Sequence, residues 1–155
     1  MAGLRLRDAT EADVPRIAAL NAAEVAQTSA MDLERLRTLH ALACHHRVAE
    51  RDGDVVAFLL AMDHAAAYVN DTFAWFAARE PRFVYVDRIG GALYRDLFDA
   101  AHAAGIDRVV CEYNLDPPNP ASQAFHARFG FVEVGRQRVA GGKRVSMQRK
   151  LLAGA

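Results

Sequence analysis

The stretch that most limits what this chain can fold into is Pro81 to Gly105, PRFVYVDRIGGALYRDLFDAAHAAG. From Arg82 to Ile89 β-branched and aromatic residues dominate, and Phe83, Tyr85 and Asp87 alternate with Val84, Val86 and Arg88. That alternation predicts a strand, and its apolar residues on both faces predict one covered on both sides. Gly90 and Gly91 follow, and the period changes. Leu93, Leu97, Ala100, Ala101 and Ala104 recur at helical spacing, with Gly105 placed to cap the helix C-terminus. A second strand is expected from Ile106 to Tyr113. Strand, glycine turn, helix and strand in this order form a right-handed βαβ unit with two parallel strands. Such a turn aims backbone N–H groups and the positive end of a helix at one point, which suits a phosphate. A tight turn that binds nothing is the plain alternative.

The flanking sequence adds elements on both sides. Leu4 and Leu6 alternate with Arg5 and Arg7 as a short first strand. Thr10 and Asp13 form a capping box, after which Val14, Ile17, Ala18 and Asn21 share one helical face. A polar break at Gln27 to Ser29 leads to Asp32, the N-cap of a second helix with Leu33, Leu36 and His40 turned inward. Arg47 to Glu50 and Val55 to Met62 are strands joined by a hairpin turn over Arg51 to Asp54. Asp63 to Glu80 fits neither period and reads as a long excursion carrying Tyr68, Phe73, Trp75 and Phe76; such connections tend to be lids or binding loops. Further on, Pro117 and Pro118 forbid regular structure, Asn119 caps a short helix with Pro120 at its first position, and Gly130 ends it. Phe131 to Val139 and Lys143 to Leu151 are strands meeting at Gly141-Gly142. The predicted order is β-α-α-β-β-β-α-β-α-β-β, with no internal repeat or linker.

A chain of 155 residues with this pattern is expected to form one domain over residues 1-155. Nineteen basic and nineteen acidic residues cancel, and no basic stripe stands out, which disfavours a nucleic-acid partner. No apolar run has the length of a membrane span, and MAGLRLRDATEAD lacks the apolar core of a signal peptide, so a cytoplasmic protein is expected. Cys44 and Cys111 are far apart with no CxxC pattern, and His45-His46 beside Cys44 is not a ligand set, so no metal is expected.

RFVYVDRI–GGALYRDLF, followed by an Asn-Pro helix ending in Gly-Phe, resembles the GNAT superfamily of acetyl-CoA-dependent N-acetyltransferases. The resemblance covers essentially the whole chain and is most specific from Phe83 to Phe131. It implies a mixed α/β fold: a central twisted sheet of six to seven strands, about four flanking helices, and a parallel core at the fourth and fifth strands. In that family the fourth strand runs into a Gln/Arg-x-x-Gly-x-Gly/Ala loop whose N–H groups hold the coenzyme A pyrophosphate. The pantetheine arm lies between the splayed fourth and fifth strands. Arg88, Ile89, Gly90 and Gly91 stand at that turn, but the Gln/Arg-x-x-Gly portion is absent, and roughly a dozen residues are missing between Ile89 and Gly90 by comparison with the family. Either a mobile loop is left out of the chain as written, which the close fit of both flanks favours, or the protein lacks it and cannot hold coenzyme A in the usual way.

Acetyl transfer to an amine needs a proton acceptor for the amine, a donor for the thioester oxygen and an acid for the leaving thiolate. The family usually places a Tyr four residues before the Gly of Gly-Phe as that acid; here the position is His126, with Tyr113 as a fallback. An imidazole serves as acid or base, and a core histidine packed on a strand is the alternative. Glu112, near the end of the fifth strand, shares a face with Val110 and Asn114. It is the candidate base acting through water, or else a strand-end carboxylate paired with Arg108. Asp87 in an apolar strand either binds a cationic substrate or pairs with an arginine. Asn119 and Ser122 match family positions that contact the pantetheine arm, although an N-cap explains Asn119 equally well. Arg128 reaches towards adenosine phosphates or into solvent. Trp75 and Phe76 roof the acceptor pocket or are core aromatics, and Asn114, on the Glu112 face of the fifth strand, is a further candidate substrate contact.

These residues lead to an expected N-acetyltransferase moving an acetyl group from acetyl-CoA to a small-molecule amine by direct attack, with Glu112 as base and His126 as acid. The resemblance leaves a homodimer possible. The alternative is a non-catalytic GNAT-like module that binds acyl-CoA or a partner protein, favoured if the gap after Ile89 is real. A generic βαβ nucleotide binder is weaker, because the glycines do not form GxGxxG.

Overall fold

The computed structural model describes residues 3–23, 32–90, 93–116, 118–139 and 141–152. Its seven strands are β1 (Arg5–Asp8), β2 (His45–Arg51), β3 (Asp54–Asp63), β4 (Val84–Gly90), β5 (Arg108–Asn114), β6 (Val132–Arg138) and β7 (Arg144–Leu151). The α-helices are α1 (Val14–Ala23), α2 (Leu33–Leu42), α3 (Asp71–Ala77), α4 (Tyr94–Ala103) and α5 (Pro120–Arg128). The strands form a mixed sheet in the order β1-β2-β3-β4-β5-β7-β6. β4 and β5 are parallel, with Val84 opposite Val109 and Tyr85 opposite Val110. The mixed α/β class and the parallel β4-α4-β5 core are as the sequence predicts.

The chain divides into two compact units. One contains the chain up to Met62 with Val86–Leu97, the other Asp63–Tyr85 with the chain from Phe98 onward. In the first unit, Arg7 explains why the chain turns from β1 into α1. Its guanidinium donates to both carboxylate oxygens of Asp13 (2.7 and 2.8 Å) and, through Nε, to Glu50 on β2 (3.1 Å). Asp13 in turn accepts from the Thr10 backbone N–H at 2.8 Å, the predicted half of the capping box, and the intervening Glu11–Asp13 forms a single 3-10 turn. Val14 and Ile17 are fully buried, as the helical face predicts. In α2, Asp32 Oδ1 accepts from the Arg35 N–H at 2.7 Å, but Leu36 and Leu39 are the buried pair. Leu33 is exposed and His40 only partly buried, because the i, i+3 row at positions 36 and 39 sets the inner face one residue away from the one expected. The polar break at Gln27 to Ser29 lies outside the described residues.

The second unit contains the main departure from the sequence pattern. The excursion between β3 and β4 holds a helix, α3, capped by Asn70, whose Oδ1 accepts from the N–H groups of Thr72 and Phe73 at 3.0 Å each. Phe73 and Phe76, three residues apart, turn inward against Phe83 with ring centroids 5.4 and 6.3 Å away. The excursion is therefore packed structure. Burying two phenylalanines stabilises it by about 3–6 kcal/mol, enough to order a helix too short to stand alone. The predicted hairpin of β6 and β7 is present, and β7 pairs with β5 along seven residues, from Arg108 opposite Leu151 to Asn114 opposite Val145.

β4 runs through Ile89 to Gly90 as one strand, and three residues separate its end from Tyr94 at the start of α4. Gly91 lies outside the described residues. Gly105 adopts φ +74° just past α4, the left-handed conformation expected of a helix C-cap glycine.

Candidate active site

In the second unit, the two faces of β5 carry different chemistry. Side chains alternate along a strand, so Val110, Glu112 and Asn114 project to one face and Cys111 and Tyr113 to the other. The α3 side is the Glu112 face. Glu112 accepts from the hydroxyl of Tyr85 on β4, with O···O distances of 2.9 and 3.1 Å to its two carboxylate oxygens. Tyr85 is fully buried, packed edge-on against Phe73 at 5.8 Å and tilted against Tyr68 at 6.3 Å. Phe76 is also fully buried, and its edge meets the Trp75 ring at 5.0 Å. Trp75 is half-buried. It lies against Gly135 of β6 and carries the Arg79 guanidinium 3.8 Å above its ring. Asn114 is half-buried at the end of the strand, and Arg108 engages Glu80. Phe76 is thus a core aromatic, with Trp75 at the margin of the same cluster.

The opposite face belongs to α5. Asn119 Oδ1 accepts from the Ser122 N–H at 3.1 Å, the predicted N-cap, and this orients the helix that carries His126. The His126 ring packs against Tyr113 (5.7 Å), Phe131 (5.3 Å) and Phe125 (5.5 Å), and the residue is buried. Its Nδ1 is 2.8 Å from the Ser122 carbonyl oxygen and 3.2 Å from the Ser122 hydroxyl. A carbonyl only accepts, so this contact assigns the proton to Nδ1. Burial pushes the His126 pKa below the ordinary histidine value, against the opposing pull of the Ser122 carbonyl, and so favours the neutral ring. Arg128 points from the last turn of α5 and is exposed. Glu112 and His126 therefore lie on opposite faces of β5.

The remaining site candidates sit in the first unit. The side chain of Asp87 is 5% exposed, and its Oδ2 pairs with Nε of the adjacent Arg88 at 3.1 Å. Arg88 also donates from Nη1 to Oδ1 of buried Asn21 at 3.3 Å. Asp87 thus carries an ion-pair contact to the adjacent arginine, one of its two expected readings. Ile89 is half-buried and Gly90 closes β4. Asp96, in the first turn of α4, accepts from Arg47 Nε at 3.0 Å and lies 3.2 Å from His45 Nε2. Three residues lie between β4 and α4 in the sequence, against the six positions of the family's pyrophosphate loop.

A model of the acetyltransferase (GNAT) family matches residues 11–131. The chain belongs to the GNAT acetyltransferase family. Phosphinothricin N-acetyltransferase of Streptomyces coelicolor is 46% identical over 55 residues, 36% of this chain and 31% of that one, so the chain matches under a third of that relative's length. Among solved structures, yncA from Salmonella typhimurium, solved with its cofactor acetyl-CoA, aligns with TM-score 0.71 at 18% identity over 99% of this chain and 96% of that one. Ard1 from Thermoplasma volcanium gives 0.76 at 13% identity, covering 96% and 97% of the two chains. The ribosomal-protein-S18-alanine N-acetyltransferase of Escherichia coli gives 0.70 at 14%, covering 99% and 96%. At these identities the structural likeness shows the shared GNAT fold. Among the described residues no group of three metal-ligating side chains comes together, and no helix is long and apolar enough to cross a membrane.

For a GNAT acetyltransferase the side chain that sequence reasoning missed is Tyr85. The sequence offered only that it shares a strand face with Asp87; its parallel pairing with the residue two before Glu112 is set by the register of β4 on β5. What hid it was that a Tyr inside an apolar strand reads first as core.

Proposed function

We propose that this chain is an acetyl-CoA-dependent N-acetyltransferase, acting as a single domain in the cytoplasm on a small-molecule amine. The observation that carries the reading is the Glu112 carboxylate, held on one face of β5 by the buried Tyr85 hydroxyl within a chain of the GNAT family. The 46% identity to a phosphinothricin N-acetyltransferase over 55 residues supports a small acceptor over a protein N-terminus. Glu112 takes a proton from the acceptor's ammonium group, directly or through water, and frees the lone pair that attacks the thioester carbonyl. As the tetrahedral intermediate collapses, one of the two protons left on the nitrogen is relayed through water and His126 to the departing thiolate, and the other stays on the amide. The products are the amide and coenzyme A. Asn119 and Ser122 hold the start of α5 beside the pantetheine arm, and Arg128 meets the adenosine phosphates. Trp75 and Asn114 border the acceptor.

The three-residue connection between β4 and α4 favours a second reading, a GNAT-fold module that binds acyl-CoA or a partner without catalysis. Calorimetric titration with acetyl-CoA, followed by a thiol-release assay, separates the two. Phosphinothricin and a peptide with an N-terminal alanine serve as acceptors. Micromolar binding and turnover of phosphinothricin over the peptide are expected. Glu112→Gln should lower the rate about 100-fold, most strongly at low pH where less amine is free. Binding without acetylation of either acceptor would leave the second reading standing, and no binding at all would remove acetyl-CoA from both.

A further inference from the structure

Tyr85 offers Glu112 more than a contact. Its parallel pairing with Val110 puts its side chain on the Glu112 face of the sheet, and its hydroxyl reaches both carboxylate oxygens. A hydroxyl has a single hydrogen and an ionised carboxylate only accepts, so the two distances describe one O–H shared between both oxygens. The Tyr85 ring cannot swing away, because it is fully buried between Tyr68 and Phe73, which themselves meet edge-on at 5.6 Å. Among the described residues, the charged groups on this face include Arg108, Arg149 and Asp71. Arg108 and Arg149 each donate to Glu80, and Asp71 is exposed at the start of α3.

We infer that Tyr85 is a positioning residue for the proposed reaction: its hydroxyl keeps the Glu112 carboxylate ionised and in one orientation, ready for the acceptor's proton. The inference rests on the acetyltransferase reading of the site. The proton moves from the acceptor's nitrogen to a Glu112 oxygen, and Tyr85 keeps its own throughout. A hydrogen bond to the ionised form favours that form, so removing it makes the carboxylate harder to ionise. Tyr85→Phe deletes one oxygen and leaves the ring packing in place. It should move the acid limb of kcat/KM up by about one pH unit, with about a tenfold loss on that limb and little change at high pH.

The test joins an activity-independent measurement to a kinetic one. Protein labelled with 13C at the glutamate carboxyl carbon is titrated by NMR, and the Glu112 signal is assigned by its disappearance in Glu112→Gln. The Glu112 midpoint should rise in Tyr85→Phe, while the other glutamate signals stay in place. An unmoved midpoint overturns the role of Tyr85, whatever the activity. The pH profile with acetyl-CoA and phosphinothricin is then measured for Tyr85→Phe, Glu112→Gln and the double variant. A double variant no slower than Glu112→Gln supports action through Glu112; a further tenfold loss in that background overturns it. A raised midpoint in a protein that acetylates nothing would fault the enzyme reading and not the Tyr85–Glu112 contact.

Discussion

Asp13 ties the start of α1 to β1, and its removal has a size and a pH signature that follow from the structure. The Arg7 guanidinium donates to both of its oxygens, and the Thr10 N–H to one of them. The Arg7 hydrogen bonds, aided by Thr10 and opposed by burial, hold the Asp13 pKa down from 3.8 to about 2. A carboxylate with a depressed folded-state pKa contributes stability that is complete above its unfolded value and is lost as the pH falls through the folded one. For this pair of values the contribution is about 2.4 kcal/mol at neutral pH, about 1.3 at pH 3 and about 0.4 at pH 2. Solvent reaches Arg7, which is 28% exposed, so about 2 kcal/mol is the figure expected at neutral pH. Asp13→Asn keeps the shape and removes the titration. Urea unfolding followed by far-UV circular dichroism should show the variant about 2 kcal/mol less stable at pH 7, with the gap narrowing by about 1 kcal/mol at pH 3. A gap that stays constant with pH would refute the linkage, and a gap under about 0.5 kcal/mol at pH 7 would refute the ion pair as a stabilising contact.

Two further outcomes are expected. A Cβ added at Gly135 would stand 2.5 Å from Trp75 Cζ2 and 2.8 Å from Cη2, so Gly135→Ala should cost about 1–3 kcal/mol and alter the Trp75 fluorescence. The cost should largely vanish in a Trp75→Leu background, and an unchanged cost there would locate the strain elsewhere. His126→Ala should reduce kcat by about 100-fold while the calorimetric affinity for acetyl-CoA changes less than about threefold; unchanged turnover would remove His126 from the mechanism.

Much of the fold is legible because its signals are local. The alternation of Val84 to Ile89, the helical spacing of Leu93 to Ala104 and the cap at Asn119 each depend on residues within one or two turns of each other, and each element forms where predicted. The helix α3 was not legible because its stabilisation is non-local. Asn70 caps only seven residues, and Phe73 and Phe76 are held by Phe83 on another strand. The same reason explains Leu33. Its spacing suited the inner face, but packing pairs the expected Leu36 with Leu39 and leaves Leu33 exposed.

For the candidate site, the sequence alone determined that Glu112 and Tyr113 must face opposite ways and that His126 lies on a capped helix four residues before Gly130. Backbone alternation and helix capping depend only on near neighbours. Which helix covers which face, that Tyr85 donates to Glu112, and that Asp87 meets the arginine beside it were decided by tertiary structure. Those pairings depend on register and on packing between segments distant in the chain, where many partners satisfy the same local pattern and one arrangement buries the most surface while satisfying the charges.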